Sequence, residues 1–210
     1  LKIEDTDAFE RLAGAQKKPE NSGGTIQRSP IIEAIRKYPR RIMLAAGAFL
    51  SIQVTFYILI VFVITYVNGV PDLSEQLSRS TMLAIVTVAA AIMVPTQFYF
   101  SGLSDRLGRK VVFRWGAILT GLWGFALFPL IDTGSAAAIL LAVTMGLLFL
   151  GMQYGPQAAY FTELFTTEVR YSGASLGYQI GAILGGALAP MIAVLLWQNF
   201  GITYVSVYSA

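Results

Sequence analysis

The sequence predicts an all-α membrane protein with five full transmembrane helices and the start of a sixth. Three observations carry this. The 210-residue chain is 55% hydrophobic and only 13% charged, and its mean hydropathy is +0.62, outside the range of ordinary water-soluble domains. Its charge is segregated: residues 1–41 hold nine Lys/Arg and six Asp/Glu, leaving six of each for the other 169 positions, so the whole net +3 lies in the first 41 residues. Beyond Arg41 the charges leave free intervals at 42–71, 80–104, 115–131, 133–162 and 171–210. A helix needs roughly 20 apolar residues to cross a hydrocarbon core about 30 Å thick.

The leading segment, 1–41, mixes both charges with Ser22-Gly23-Gly24 and prolines at 19, 30 and 39. This composition describes a linker. Its last part, Pro30 to Tyr38, has Ile31, Ile32 and Ile35 on one side of a short amphipathic helix, either solvated or resting on headgroups. Five spans follow at about 42–67, 81–101, 111–131, 136–158 and 173–197. Trp197-Gln198-Asn199-Phe200-Gly201 reads as a turn, and 202–210 starts the last span. The chain opens on Leu1 and stops inside an apolar run, as expected of a piece of something longer.

Lys/Arg placement orients the spans. Arg36, Lys37, Arg40 and Arg41 precede span one, Arg106, Arg109, Lys110 and Arg114 follow span two, and Arg170 precedes span five; the other face has only Arg79. This asymmetry puts the linker in the cytoplasm.

Several function classes are excluded by composition. Without His or Cys the chain has no imidazole base, thiolate nucleophile or Cys/His metal cage, so neither an enzyme nor a cofactor or metal is expected. Residues 42–210 are electrically neutral, so no basic face for nucleic acid exists there. The apolar runs are continuous rather than alternating, which argues against a transmembrane barrel.

Between spans two and three stands Gly102-Leu103-Ser104-Asp105-Arg106-Leu107-Gly108-Arg109-Lys110. This stretch resembles the cytoplasmic loop motif of the major facilitator superfamily. Tyr154-Gly155-Pro156-Gln157, Glu163-Leu164-Phe165, Val169-Arg170-Tyr171-Ser172-Gly173 and Gly181 to Gly186 are similar to the metabolite:H+ symporter branch, which carries shikimate, α-ketoglutarate, citrate, and proline or betaine. Thr166 and Glu168 depart from that branch, whose members often have Pro and Arg there. The resemblance implies the C-terminal six-helix bundle of a twelve-helix fold. It further implies proton-coupled symport of a small organic acid or zwitterion by rocking-bundle alternating access, in a plasma membrane such as the bacterial inner membrane. The implied partners are the lipid bilayer, a missing N-terminal six-helix half, the solute and protons. An uncoupled facilitator of the same fold and a non-transporting scaffold or sensor stay open as alternatives.

Within the motif, Gly102 and Gly108 permit tight turns and close approach, Asp105 suits a helix N-terminus, and Arg109 is in reach of Asp105 if the stretch is helical. The resemblance implies a gate there, with Glu163 and Arg170 as partners; Arg106 and Lys110 equally serve to fix topology. Gly173, Gly177, Gly181, Gly185 and Ala189 recur every four residues and form a small-residue strip for helix packing.

Polar side chains inside spans mark the solute cavity, because each is costly in hydrocarbon without a partner. Gln53 lies about 18 Å of helix rise past Arg41, with Tyr57 one turn further; Gln153, Tyr154 and Gln157 in span four and Tyr178 and Gln179 in span five complete the candidates. Interhelical hydrogen bonding is the competing role for each. Tyr66 and Trp197 read as interfacial anchors, Pro156 as a kink, and Asp132 as a structural loop residue. No span has a charge in its central part, so the titrating groups of any proton coupling are expected outside this chain.

Overall fold

The computed structural model describes residues 30–166 and 169–210; the first 29 residues of the linker expected over 1–41, and Glu168, lie outside them. Helix α1 is Pro30–Lys37. Five helices long and apolar enough to cross a membrane follow: α2 Pro39–Gly69, α4 Arg79–Leu107, α5 Arg109–Ile131, α6 Ala136–Glu163 and α7 Arg170–Phe200. Two short helices complete the chain, α3 Pro71–Gln76 between α2 and α4, and α8 Ile202–Ser209 at the end. No strand occurs among the described residues.

Most helices outrun their expected limits, and the physical reasons are local. Pro39 can occupy the first turn of α2 because it needs no intrahelical donor there. Ser78 starts α4 by accepting a hydrogen bond from the Thr81 amide at 3.2 Å. The expected turn over Trp197–Gly201 is helical as far as Phe200. Only Gly201, at φ 93°, leaves the helix, a conformation that favours glycine. Helix α6 runs unbroken past Pro156, which is buried within it.

Helix α6 is the axis of the molecule. It packs along both α4 and α5, while α2 packs along α7. Its buried residues include Ile139, Val143, Leu147, Leu150 and Phe161, and α2 adds Ile52, Leu59 and Phe62 to the same core. Large apolar side chains also cover the outside: Leu83, Val94, Phe98, Leu122 and Met191 are all exposed. That is the reverse of a water-soluble surface and suits hydrocarbon.

Two helices contain a wide turn of the π type, Ile58–Phe62 in α2 and Ile183–Ala187 in α7. Apolar periodicity gives no sign of either. The second packs against α2 beside Gln53 and Tyr57, and the first follows Tyr57 directly and ends at Phe62.

Candidate solute cavity and inner latch

Gln53 and Tyr57 lie one turn apart on α2, so both project from the same side. Across from them, α6 presents Tyr154, whose hydroxyl donates to Gln53 Oε1 at 2.8 Å. Tyr57 and Gln53 both approach Gly186 of α7, and Tyr178 of the same helix meets Gln157. Gln157 is only 3% exposed, and its Oε1 has no hydrogen-bond partner among the described residues. Aromatic rings wall the cluster: Phe56 edges onto Tyr154 at 6.0 Å, Phe49 onto Tyr178 at 4.7 Å, and Phe161 lies tilted against Tyr178 at 5.3 Å. The chemistry on offer is that of neutral hydroxyls and amides beside π faces.

Five of the seven expected cavity residues are therefore brought together. Gln153 is not among them: its Nε2 donates to Thr120 Oγ1 of α5 at 3.0 Å in a fully buried pair, so it fastens α6 to α5. Gln179, one residue past Tyr178 and hence about 100° round the helix, is exposed instead. Phe49, Phe56, Phe161 and Thr120 were missed because apolar and hydroxyl residues in a span carry no signal of their own.

The glycine strip of α7 sets the distance between this helix and α2. A Cβ at Gly177 would stand 2.8 Å from Ala45 Cβ, one at Gly181 2.7 Å from the Ala46 carbonyl oxygen, and one at Gly185 2.7 Å from the Leu50 oxygen. Gly173 instead clears the ring of Phe165. Gly186, the second of the Gly185-Gly186 doublet, lets Tyr57 and Gln53 in: a Cβ there would lie 3.2 Å from the Tyr57 ring. Backbones this close are the small-residue packing mode of membrane helices.

The motif between α4 and α5 is almost wholly helical. Gly108 alone breaks it, at φ 93°, serving as the end of one helix and the start of the next. Asp105 thus sits in the last turn of α4, not at a helix N-terminus as expected. A carboxylate is disfavoured at that end of the dipole, and Arg109 offsets this with an Nη2–Oδ1 contact of 3.3 Å. The Arg109 Nη1 also pairs with Glu163 Oε1 at the end of α6, so one guanidinium joins α4, α5 and α6. Gly102, expected at a close approach, is exposed, and a Cβ placed there would meet nothing within 4 Å. Arg106 and Lys110 are exposed and outside the triad, and the Nε of Arg170 has no partner among the described residues.

At the opposite end, Tyr66 is not an interfacial anchor. It is 5% exposed, and its hydroxyl donates to Asp132 Oδ1 at 2.7 Å. Phe62, Phe128 and Trp197 surround it, and the Trp197 ring lies over Gly69. Burial of this ring set against α5 and α7 outweighs any preference of Tyr66 for headgroups.

Five helices long and apolar enough to cross a membrane, with a polar cluster walled by aromatic rings between α2, α6 and α7, define a multi-pass membrane protein. A sequence profile of the Major Facilitator Superfamily matches residues 8–190, and the chain belongs to that family. It is 31% identical over 216 residues to the inner membrane metabolite transport protein YhjE of Escherichia coli (strain K12), covering 100% of this chain and 46% of the relative. It is 27% identical to the shikimate transporter of the same organism over 96% of this chain and 45% of that protein. It is 26% identical to a putative proline/betaine transporter of Staphylococcus haemolyticus (strain JCSC1435) over 83% and 36%. The chain spans less than half the length of these relatives. No solved structure matches it.

Proposed function

We propose that this chain is the C-terminal six-helix half of a secondary transporter for a small organic acid or zwitterionic metabolite. It works against a companion half by rocking-bundle alternating access, with residues 1–41 as the cytoplasmic linker between the halves. The observation that carries this reading is the contact of Tyr154 with Gln53, together with the buried Gln157 amide oxygen that has no hydrogen-bond partner among the described residues. Such a group in a membrane interior costs about 1–3 kcal/mol unless something polar meets it, and a solute would. The solutes for which the relatives are named, shikimate in one case and proline or betaine in another, are small polar metabolites of this size class. The Asp105–Arg109–Glu163 triad would act as the inner latch, released when the cytoplasmic ends of α4, α5 and α6 separate.

Proton coupling belongs to the same proposal, with the titrating groups outside this chain. Uncoupled facilitation is the second reading, favoured by spans that carry no central charge. The experiment is uptake of labelled shikimate, proline and betaine into proteoliposomes holding the whole protein, with and without an imposed pH gradient. Expected are gradient-dependent uptake of one of these solutes and at least a tenfold loss for Tyr154→Phe. Uptake insensitive to the gradient selects the facilitator; uptake unchanged by Tyr154→Phe refutes the cavity assignment.

A further inference from the structure

Helix α1 has two neighbours to satisfy at once. Ala34 is fully buried, and Tyr38 packs beside it with Phe165 and Val169, so this side faces the bundle. Ile31, Ile32 and Ile35 are 49%, 56% and 52% exposed. At about 100° per residue they fill the arc between that buried side and Arg36. The basic groups Arg36, Lys37 and Arg40 are exposed at the rim. Residues 30–41 carry four Lys/Arg against the single acid Glu33, a net +3.

The helix is held in this attitude. Arg41 Nη1 donates to the Leu164 carbonyl at 2.6 Å and its guanidinium lies 5.1 Å from the centre of the Tyr38 ring. The Tyr38 ring in turn meets Phe165 edge-on at 6.4 Å. Two residues after α1, at Pro39, the first span begins, which sets α1 at the level where the bilayer surface must lie. Between α1 and the start of α7 runs a groove of about 310 Å³ lined by Ile31, Tyr171, Ser172, Ser175 and Leu176. Its mouth holds Tyr171, 83% exposed.

We propose that α1 and the first turns of α7 form a docking site for an anionic phospholipid of the bilayer surface. Ile31, Ile32 and Ile35 enter the acyl boundary, an acyl segment lies in the groove on Leu176, and Arg36 and Arg40 meet the headgroup phosphate. The sequence leaves α1 either solvated or on headgroups; three exposed isoleucines beside exposed Arg36 and Arg40, two residues before the first span, favour the second. Charge complementarity selects an anionic lipid over a neutral one, because a basic residue near a membrane surface raises affinity for anionic lipid about fivefold. The membrane-spanning fold alone suffices for such a site, and no transport function is required.

The test uses the whole protein with Ile35→p-benzoylphenylalanine, in proteoliposomes of phosphatidylcholine and phosphatidylglycerol at three to one, illuminated and weighed by intact mass spectrometry. Expected are lipid adducts enriched in phosphatidylglycerol over its share of the bilayer. Adding Arg36→Gln with Arg40→Gln should return the adducts toward the bilayer's own one-to-three ratio, since each basic residue contributes about fivefold in affinity, while the melting temperature stays unchanged because both side chains are exposed. Lipid adducts in the bilayer's own ratio overturn the proposal. Crosslinks to a second copy or to another segment of the same chain also overturn it, since they give the isoleucines a protein partner.

Discussion

Gly181→Ala should push α2 and α7 apart, and the size of the effect follows from three distances. The added Cβ would meet the Ala46 carbonyl oxygen at 2.7 Å, Phe49 Cβ at 2.9 Å and the Leu50 amide nitrogen at 3.0 Å. Favourable carbon contacts begin near 3.5 Å, so each neighbour must retreat by about half an ångström or more, and two of the three atoms are backbone. Gly177 and Gly185 on either side leave as little room, since a Cβ there would lie 2.8 and 2.7 Å from α2, so the movement cannot be absorbed by a local tilt. Overpacking of this kind costs about 1–3 kcal/mol. Gly47→Ala is the control: it lies on α2 with nothing within 4 Å, and alanine's better helix propensity makes it neutral or slightly stabilising. The assay is thermal unfolding of the whole purified protein in detergent, with both variants beside wild type. Gly181→Ala melting at the wild-type temperature, or Gly47→Ala falling as far, refutes the packing account.

Tyr154→Phe should destabilise by about 1 kcal/mol, the loss of one donor to the Gln53 amide, measurable in the same melts. Gln153→Leu should cost about 1–2 kcal/mol by stranding the Thr120 hydroxyl, and Gln153→Leu with Thr120→Val should recover most of it, because removing both partners leaves nothing unsatisfied; a double cycle that is additive would sink this pairing. Tyr66→Phe should cost about 0.5–1.5 kcal/mol through the lost bond to Asp132, and Asp132→Asn less, since an amide oxygen still accepts from Tyr66. Arg109→Gln should cost under about 1 kcal/mol in stability, and its readout is the labelling rate of a cysteine introduced at Ser101, expected to rise as the inner ends of α4 and α6 part more often.

The spans were legible because hydrocarbon demands long charge-free runs: four of the five intervals each hold one spanning helix, and the fifth, 171–210, holds α7 and α8. Helix ends were less so, since a helix in or near a membrane continues until something stops it, here Gly108 and Gly201 at φ 93°. The glycine strip could be read from spacing alone, and its partner could not: that Ala46, Phe49 and Leu50 face it depends on how α2 rotates about its axis. The same limit explains Gln153 and Gln157. They share one side of α6 four residues apart, yet the first finds Thr120 on α5 and the second Tyr178 on α7. Tyr66 was misplaced for a related reason, because aromatic residues near a span end serve headgroups and helix contacts alike.

The two ends of the bundle are fastened by different physics. At the Gly108 end Arg109 joins side chains that are 62% and 57% exposed, itself 31% exposed, and exposed ion pairs contribute about 0–1 kcal/mol each. At the Asp132 end Phe62, Tyr66 and Phe128 are at most 5% exposed, and truncating a buried aromatic costs about 3–5 kcal/mol. Moving a two-state balance from 1:99 to 99:1 takes about 5.5 kcal/mol. On the proposed mechanism the triad would bias the equilibrium by at most about fivefold per contact without locking it, as a latch that opens on every cycle requires, and the aromatic set would hold its helices together as one moving body.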